Sequence, residues 1–255
     1  MKHPQIEVKT RSLGLTKISE NDRLVFKRER LDSEDFSGRK LIDLTAVGSK
    51  FVSCRFENMR IKSGCFGAGR EVSEYIDCSF DGSSIRMIPV GYARFERCSF
   101  RNTDIHDWIC FAVEMVGCTF SGKMRHVILN GTPQADDQAV VHRERNEFRG
   151  NDFSEAKLED LSFRTGIDLT QQKLPIGPEY VYVPNAENAV RQARAEILEW
   201  KDIELRRLSM VLISTFEEEI QAGQQQILFR AADYTKSLRR SADAVFALLK
   251  KYSEA

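Results

Sequence analysis

The amino-acid sequence predicts a mainly β chain with an α-helical end, in which a four-sided coil of short strands precedes an α-helical hairpin. Two periods of similar residues, one of five residues and one of 20, predict the coil. An amphipathic pattern that begins after Pro184 predicts the helices. The chain has 255 residues, of which 42% are hydrophobic, and this is enough for a sizeable core.

Large apolar residues recur at every fifth position over much of the chain. One series runs from Phe36 to Phe66, a second from Phe80 to Phe120, and a third from Phe148 to Phe163. Residues five apart lie about 140 degrees apart around an α-helix, and they point to opposite faces of a strand. Because neither element explains the period, we expect the chain to turn a corner every five residues.

A second, longer period is expected if four such corners close one coil. CSF at 78–80 returns as CSF at 98–100 and CTF at 118–120, and CRF at 54–56 precedes them after a slip of four residues. A narrow coil has room for one large side chain per side, with a small residue two places earlier. These positions predict an inward ladder of alternating small and large side chains, formed by Cys54, Phe56, Cys78, Phe80, Cys98, Phe100, Cys118 and Phe120.

The six cysteines all lie between Cys54 and Cys118, with neither a CxxC pair nor a CxxH spacing among them. Structural zinc sites usually have such closely spaced ligands. A buried thiol behaves as a small apolar residue, which is what the inward position requires. We therefore predict free thiols of the core, and neither a metal nor a cofactor.

The segment RNEFRGNDFSEAKLEDLSF, residues 145–163, resembles the pentapeptide-repeat family. The unit of that family is a small residue, Asp or Asn, then Leu or Phe, then two polar residues, and Asn151-Asp152-Phe153 and Ala156-Lys157-Leu158 match it closely. The resemblance covers roughly residues 31–169. It implies a right-handed quadrilateral β-helix whose coils stack about 4.8 Å apart.

Four parts of the chain depart from the repeat. Residues 1–30 are expected to cap the first coil, with IEVKT and RLVFKRER as short strands. The segment GAGREVSE, residues 67–74, carries the four-residue slip and should bulge from a corner. Residues 121–145 contain Gly, Pro and many charges and predict an irregular loop. Residues 170–184 contain three prolines and predict a linker.

Residues 185–255 predict an α-helical hairpin. Asn185 is a suitable N-cap, apolar residues recur at helical spacing from Val190 to Ile220 and again from Ile227 to Tyr252, and Gly223 offers a break. Two isolated helices must cover their apolar faces with the coil, a second copy or another protein. The candidate association residues are Trp200, Leu208, Leu212 and Phe216, and docking on the coil would explain them equally well.

The charge balance argues against a polyanionic partner. The 38 basic and 38 acidic residues cancel, and arginines expected on the outside of the coil alternate with acidic residues. A mixed, solvated surface is therefore a better interpretation than a nucleic-acid groove. No stretch approaches the roughly 18 apolar residues of a membrane span, and the first residues lack the features of a signal peptide. We expect a cytoplasmic protein that binds neither membrane nor nucleic acid.

Histidines are the natural candidates for acid–base chemistry, and the chain has four: His3, His106, His126 and His142. None of them lies in an HxxxH or HExxH motif. His126 and His142 share the predicted loop with Asp136 and Asp137, and such a group could hold a metal or act in catalysis. A solvated polar loop is the simpler interpretation.

These observations predict a non-enzymatic protein-interaction module, a rigid rod with helices that bind a protein partner or form a homodimer. The family resemblance implies an alternative, because some members resemble duplex DNA in size and charge, dimerise through C-terminal helices and bind DNA gyrase, conferring resistance to quinolones or peptide toxins. The balanced charge argues against this alternative, since a DNA mimic presents carboxylates along its length. An enzyme sited in residues 121–145 is a third hypothesis.

Overall fold

The computed structural model describes residues 22–86 and 90–253, so the predicted strand IEVKT falls outside the described residues. From Asp22 to Arg164 the chain forms a four-sided coil in which all paired strands are parallel. Its strands are β1 (Asp22–Lys27), β2 (Arg30–Asp32), β3 (Lys40–Val47), β4 (Lys50–Val52), β5 (Arg60–Ile61), β6 (Gly64–Cys65), β7 (Ser73–Ile76), β8 (Ser84–Arg86), β9 (Ala93–Glu96), β10 (Ser99–His106), β11 (Ile109–Cys110), β12 (Val113–Val116), β13 (Thr119–Asn130), β14 (Phe148–Arg149) and β15 (Asp152–Arg164). The β-helix predicted from the two periods is confirmed.

Strand register aligns the large apolar residues in four inner columns, one for each side of the coil. Column 1 is Leu31, Phe51, Tyr75, Phe95, Met115 and Phe148. Column 2 is Phe36, Phe56, Phe80, Phe100, Phe120 and Phe153. Column 3 is Leu41, Ile61, Ile85, Ile105, Met124 and Leu158. Column 4 is Phe26, Ala46, Phe66, Val90, Cys110, Leu129 and Phe163.

Column 2 is a continuous stack of phenylalanine rings. Consecutive ring centroids lie 4.6 to 5.1 Å apart, and the ring planes differ by only 3° to 17°. The rise of one coil therefore equals the distance at which aromatic rings stack. Every ring in this column is buried.

The cysteines of the predicted ladder are buried beside this stack. The Sγ atoms of Cys54, Cys78, Cys98 and Cys118 each lie 3.2 to 3.6 Å from the backbone oxygen of a column 1 residue in the preceding coil. In the last coil Asn151 takes the cysteine position, and its Nδ2 donates to the Met115 oxygen at 2.8 Å. The thiols therefore act as short side chains that point to the backbone above them.

The prediction of a small second inward residue is wrong on side 4. Leu24, Leu44, Trp108 and Val127 occupy this position and are buried. Column 4 contains small members such as Ala46 and Cys110, and the large neighbours fill the space that these leave. The Trp108 ring lies 5.8 Å from the Phe66 and Phe100 rings, measured between centroids.

The four-residue slip in residues 67–74 occurs as predicted. Phe51 pairs with Tyr75, so this coil is four residues longer than the regular ones, and Glu71 in the inserted segment pairs with Arg28. At its base Gly67 bridges to Gly91, where a Cβ on Gly67 would meet the Tyr92 oxygen at 1.9 Å. Only glycine allows the two coils to approach this closely.

The predicted loop of residues 121–145 is wrong in its first half. Residues 121–130 belong to β13, which pairs with β10 and β15, and the chain leaves the coil only after Asn130. The excursion contains one short helix, α1 (Ala135–Val141). The partners Ile105 and Met124 are one position closer in sequence than partners in a regular coil, and this one-residue deletion hides the repeat from the five-residue count.

Both ends of the coil extend beyond the predicted limits. Strand β1 pairs with β3, and β2 pairs with β4, so the coil already includes residues 22–30 of the predicted cap. Residues 170–173 of the predicted linker also remain bound, since Lys173 bridges to Asp152. Gln172 is buried, and its side chain accepts a hydrogen bond from Asn151 and donates one to the Phe148 oxygen. The side-chain amides of Asn151 and Gln172 thus continue the row of cysteines and make the hydrogen bonds at its C-terminal end.

The predicted helical hairpin is wrong, because the C-terminal region contains three helices and a small sheet within residues 181–253. The helices are α2 (Ala186–Leu198), α3 (Ile203–Gln221) and α4 (Lys236–Ser253), and β16 (Val181–Val183) pairs antiparallel with β17 (Ile227–Phe229). Asn185 caps α2 as predicted, and Asp202 caps α3 by accepting from the Leu205 amide at 2.9 Å. The long first helix is therefore two helices.

The three helices form a bundle with its own apolar core, which includes Val190, Ile197, Ile213, Val245 and Leu249. A polar junction joins this bundle to the coil. The Gln224 side chain accepts from the Gly166 and Ile167 amides and donates to the Ile167 oxygen. Because this amide is buried and makes bonds to both sides, it orients the bundle on the last coil.

Candidate functional site

The four predicted association residues do not form one exposed surface. Leu212 and Phe216 lie in the core of the bundle, which accounts for their apolar character without a partner. Trp200 packs partly against the same core, and Leu208 is half-buried. A partner-binding role for Trp200 and Leu208 stays a prediction.

An exposed apolar surface does lie beside them, where α2 ends and α3 begins. Ile203 is 71% exposed, Val211 is 53% exposed and Leu198 is 49% exposed. Ile203 begins α3 and Val211 lies near its middle, about 12 Å farther along the helix axis and about 80° around it, on the same side of the helix. Arg206 Nη1 donates to the Leu198 oxygen at 3.3 Å and holds the end of α2 against the first turn of α3. We call Leu198, Trp200, Ile203 and Val211 the apolar corner.

The sequence contained a signal for the apolar corner. In the sequence the apolar stripe of α3 is Leu205, Leu208, Leu212 and Phe216, and Ile203 and Val211 fall outside it. Two apolar residues off the stripe point away from the core. The corner itself also requires the break between α2 and α3, which the apolar period does not reveal.

The outer surface of side 1 and of its corner with side 2 carries ion pairs that join neighbouring coils. Arg97 pairs with Asp77 at 2.7 Å, Arg94 pairs with Glu114 at 3.0 Å, and Lys50 pairs with Glu74. The strand register places these residues directly above one another. Positive and negative charges are therefore interspersed along side 1, and side 2 carries uncharged Ser79, Ser99 and Thr119 between its pairs Arg55–Asp35 and Lys173–Asp152.

Side 3 has an excess of positive charge. Asp104 and Glu159 lie among its cations, and they pair with Arg125 and Lys157. The basic residues that flank the members of column 3 are Lys40, Arg60, Lys62, Arg86, Lys123, Arg125 and Lys157. No continuous acidic column runs along the described coil.

A cleft of about 210 Å³ lies between β15, α3 and β17. Arg164 Nε lies 3.2 Å from Glu219 Oε1, and Arg230 pairs with Asp233. Burial raises the pKa of Glu219 and the pKa of Asp233, and in both cases it outweighs the neighbouring arginine. The acids and bases of the cleft are thus engaged with each other.

Two histidines and two aspartates meet at the corner between sides 3 and 4. Asp107, His126 and Asp160 turn the chain there, with φ angles of 63°, 52° and 52°. His126 Nδ1 lies 3.2 Å from Asp107 Oδ1, His126 Nε2 lies 3.9 Å from Asp160 Oδ2, and His106 Nδ1 contacts Asp107 Oδ2. Burial acts to raise the pKa of Asp107, but His106 and His126 outweigh it and hold the pKa below its usual range.

The structure pairs His126 with a different histidine from the one that the sequence suggested. His142 ends α1 and is exposed, and Asp137 accepts a hydrogen bond from the Tyr92 hydroxyl at 2.9 Å. Among the described residues, the group that could hold a metal ion is His106, Asp107 and His126. Its signal in the sequence was that Asp107, which follows His106 directly, and His126 are separated by the length of one coil at this point of the rod.

Comparisons with known proteins give only distant likenesses. The sequence matches no family model and no curated protein. A trypsin-treated form of QnrB1, a plasmid-mediated fluoroquinolone resistance protein, matches 59% of this chain and 77% of its own with 13% identity and a TM-score of 0.28. A second trypsin-treated form of QnrB1 matches 62% of this chain and 85% of its own with 16% identity and a TM-score of 0.17.

The helices within residues 22–86 and 90–253 lack the length and apolar character needed to cross a membrane. The fold assignment rests on the strand register of the chain itself, in which apolar residues five apart fill successive sides and their neighbours in the next coil fill the same column. The chain is a four-sided β-solenoid with a C-terminal three-helix bundle.

Proposed function

We propose that this chain is a non-enzymatic protein-interaction module, in which the coil holds the bundle and the apolar corner contacts a partner protein or a second copy. The observation that carries the proposal is the exposure of Ile203, Val211 and Leu198 on the bundle. Most other large apolar residues of the helices are buried or half-buried. Exposed apolar residues grouped on one surface are typical of protein-binding sites.

The expected gain from burial is useful but modest. Complete burial of a Leu, Ile or Val side chain contributes about 1.5–3 kcal/mol, and these three side chains are half to three-quarters exposed. Contact at the corner would therefore add about 1–2 kcal/mol for each side chain. Contacts of this size make three or four residues sufficient for a measurable effect on affinity.

The rest of the described surface supports binding rather than catalysis. The interior of the coil is filled by its four columns. The cleft beside Glu219 is smaller than the roughly 300–1,000 Å³ of ordinary ligand sites, and its charged groups pair with each other. A second cleft of about 440 Å³ beside Gly223 has a single charged residue in its lining, Glu187, and so has no acid–base pair. Flat sides with outward residues at fixed spacing are suited to recognition of another macromolecule.

The test compares two substitutions that place charge in the corner, Ile203→Asp and Val211→Asp, with Ile176→Asp as a matched control. Ile176 is also a fully exposed isoleucine but lies in the segment before β16, outside the corner. Light scattering reports whether the chain forms a dimer of twice 29.2 kDa. Affinity capture from the source cells, with mass spectrometry, reports a protein partner.

We expect the corner variants to lose the dimer or the captured partner, and the Ile176→Asp chain to retain it. Circular dichroism checks that all three variants are folded. If wild-type and corner variants are all monomeric and capture the same proteins in the same amounts, the proposal is wrong.

The observed surface does not favour the alternative of a gyrase-binding DNA mimic. A mimic requires carboxylates along one side of the rod. Side 1 of the described coil carries charges of both signs, side 2 has uncharged Ser79, Ser99 and Thr119 between its ion pairs, and side 3 is basic. Binding of the purified chain to DNA gyrase, with inhibition of supercoiling, would reverse this conclusion.

A further inference from the structure

We propose that His106, Asp107 and His126 bind a divalent transition metal ion of the zinc type at the corner between sides 3 and 4, with Asp160 orienting His126. One ligand atom from each of the first three residues lies within 4.8 Å of the other two. Two imidazoles and one carboxylate are a ligand set that Zn²⁺ and its first-row neighbours prefer. The site is independent of the apolar corner.

The distances suit a tetrahedral ion. Metal–ligand bonds of about 2.0–2.1 Å place neighbouring ligand atoms about 3.3 Å apart. His126 Nδ1 and Asp107 Oδ1 are already 3.2 Å apart. The two imidazole rings meet edge to face, with centroids 4.8 Å apart and an interplanar angle of 81°. A small rotation of the His106 ring would bring its nitrogen to the same ion.

Asp160 supports the role of His126 as a ligand. A neutral histidine that binds metal through Nδ1 carries its proton on Nε2. His126 Nε2 faces Asp160 Oδ2 at 3.9 Å, on the side of the ring opposite Asp107. At this distance the two atoms are not hydrogen-bonded, and a small movement of the Asp160 side chain would let it accept from Nε2, which fixes the ring and strengthens its bond to a metal.

The backbone of the paired strands positions these residues without a bound ion. His106 ends β10, and His126 and Asp160 lie within β13 and β15, which pair in consecutive coils. Asp107, His126 and Asp160 all adopt the left-handed conformation that turns the corner. Sites built on paired strands of a rigid rod are well preorganised.

Neighbouring charges leave the site available to a cation. Arg125 stands in register with His106, but its guanidinium binds Asp104 at 2.7 Å. Asp107 and Asp160 supply negative charge at the site itself. Three protein ligands leave the fourth position of a tetrahedral ion open to water or to a group from a partner.

The experiment titrates the metal-free chain with Zn²⁺ by calorimetry and with Co²⁺ by visible absorption. His106→Ala and His126→Ala test the ligands, and His142→Ala is the matched control because His142 is an exposed histidine outside the group. Circular dichroism in the presence of a chelator checks that every variant is folded. Iodoacetamide treatment of the folded chain checks for binding by accessible thiols.

We expect one Zn²⁺ per chain for wild type and for His142→Ala, and at least a tenfold loss of affinity for His106→Ala and for His126→Ala. Asp160→Asn should keep the stoichiometry but weaken affinity by about 10- to 100-fold. The proposal is overturned if wild type binds no Zn²⁺, if both ligand variants bind it as tightly as wild type, or if thiol blocking abolishes the binding.

Discussion

Replacing Phe100 by alanine should destabilise the coil more than any change on its surface. Phe100 is fully buried in column 2, with its ring stacked between Phe80 at 4.7 Å and Phe120 at 5.0 Å. Its edge contacts the rings of Phe95 and Trp108 at 5.6 and 5.8 Å. Removal of a buried phenylalanine ring costs about 3–5 kcal/mol. The substitution also removes two ring-stacking interactions, with Phe80 and with Phe120, and each contributes about 0.5–1.5 kcal/mol. We therefore expect Phe100→Ala to lie at the upper end of the range for ring removal.

Urea unfolding measures this effect, and Phe111→Ala provides the control because Phe111 points outward and is 39% exposed. The two tryptophans report separately, since Trp108 lies inside the coil and Trp200 packs on the bundle. In a Trp200→Phe background, fluorescence therefore follows the coil alone. We expect Phe111→Ala to cost less than about 1 kcal/mol. If Phe100→Ala costs no more than Phe111→Ala, the stacked column does not stabilise the coil as described.

Three further changes test other parts of the structure. Asn151→Ala leaves the Cys118 amide and the Met115 oxygen without their side-chain partner, so the free energy of unfolding should fall by about 2–4 kcal/mol in urea melts, and a loss below about 0.5 kcal/mol would contradict this. Cys65 should react first with a thiol reagent, whereas Cys110, whose pKa is raised by burial, should react only on unfolding; peptide mapping that finds Cys110 labelled in the folded chain would be inconsistent with the fold. Burial raises the pKa of Glu219 in the folded chain, so its ionisation removes stability as pH rises from about 4.5. Glu219→Gln should therefore gain stability relative to wild type between pH 4 and 7, and urea midpoints showing the opposite trend would refute the cause that we assign.

The coil was predictable because its narrow interior accepts one arrangement of side chains. A large residue at every fifth position and a cysteine or other small residue two places earlier follow from that geometry. The same count of five failed at Met124, because this coil is one residue shorter than the others. The apolar residues after Phe120 therefore fall out of step with the count, and the sequence of β13 looked like a loop. The count also failed at Trp108, because the column residue beside it, Cys110, is small and leaves room for a large second inward residue.

The ends were less predictable because local patterns there fit more than one structure. Apolar residues continue at helical spacing from α2 through Trp200 into α3. The spacing therefore does not reveal that the chain breaks between the two helices. Ile227 continues the stripe of the last helix, but it lies in β17, a three-residue strand paired with β16. Tertiary pairing decides such short segments.

The group of His106, Asp107 and His126 could be recognised only once the register of neighbouring coils was known. His106 and His126 are far apart in the sequence and belong to different strands of neighbouring coils. No linear metal motif has their spacing, so the sequence alone favoured the nearer pair, His126 and His142. In a stacked rod, a separation of one full coil along the chain means adjacency in space.

Hydrogen exchange measured on the isolated chain and on its purified assembly, either a dimer or a complex with a captured protein, tests the central claim most directly. We expect slower exchange in the assembly at the amides of residues 198–211, which contain the apolar corner, with little change on sides 1 and 2 of the coil. Protection confined to the coil, with residues 198–211 exchanging at the same rate in both samples, would contradict the proposed role of the corner.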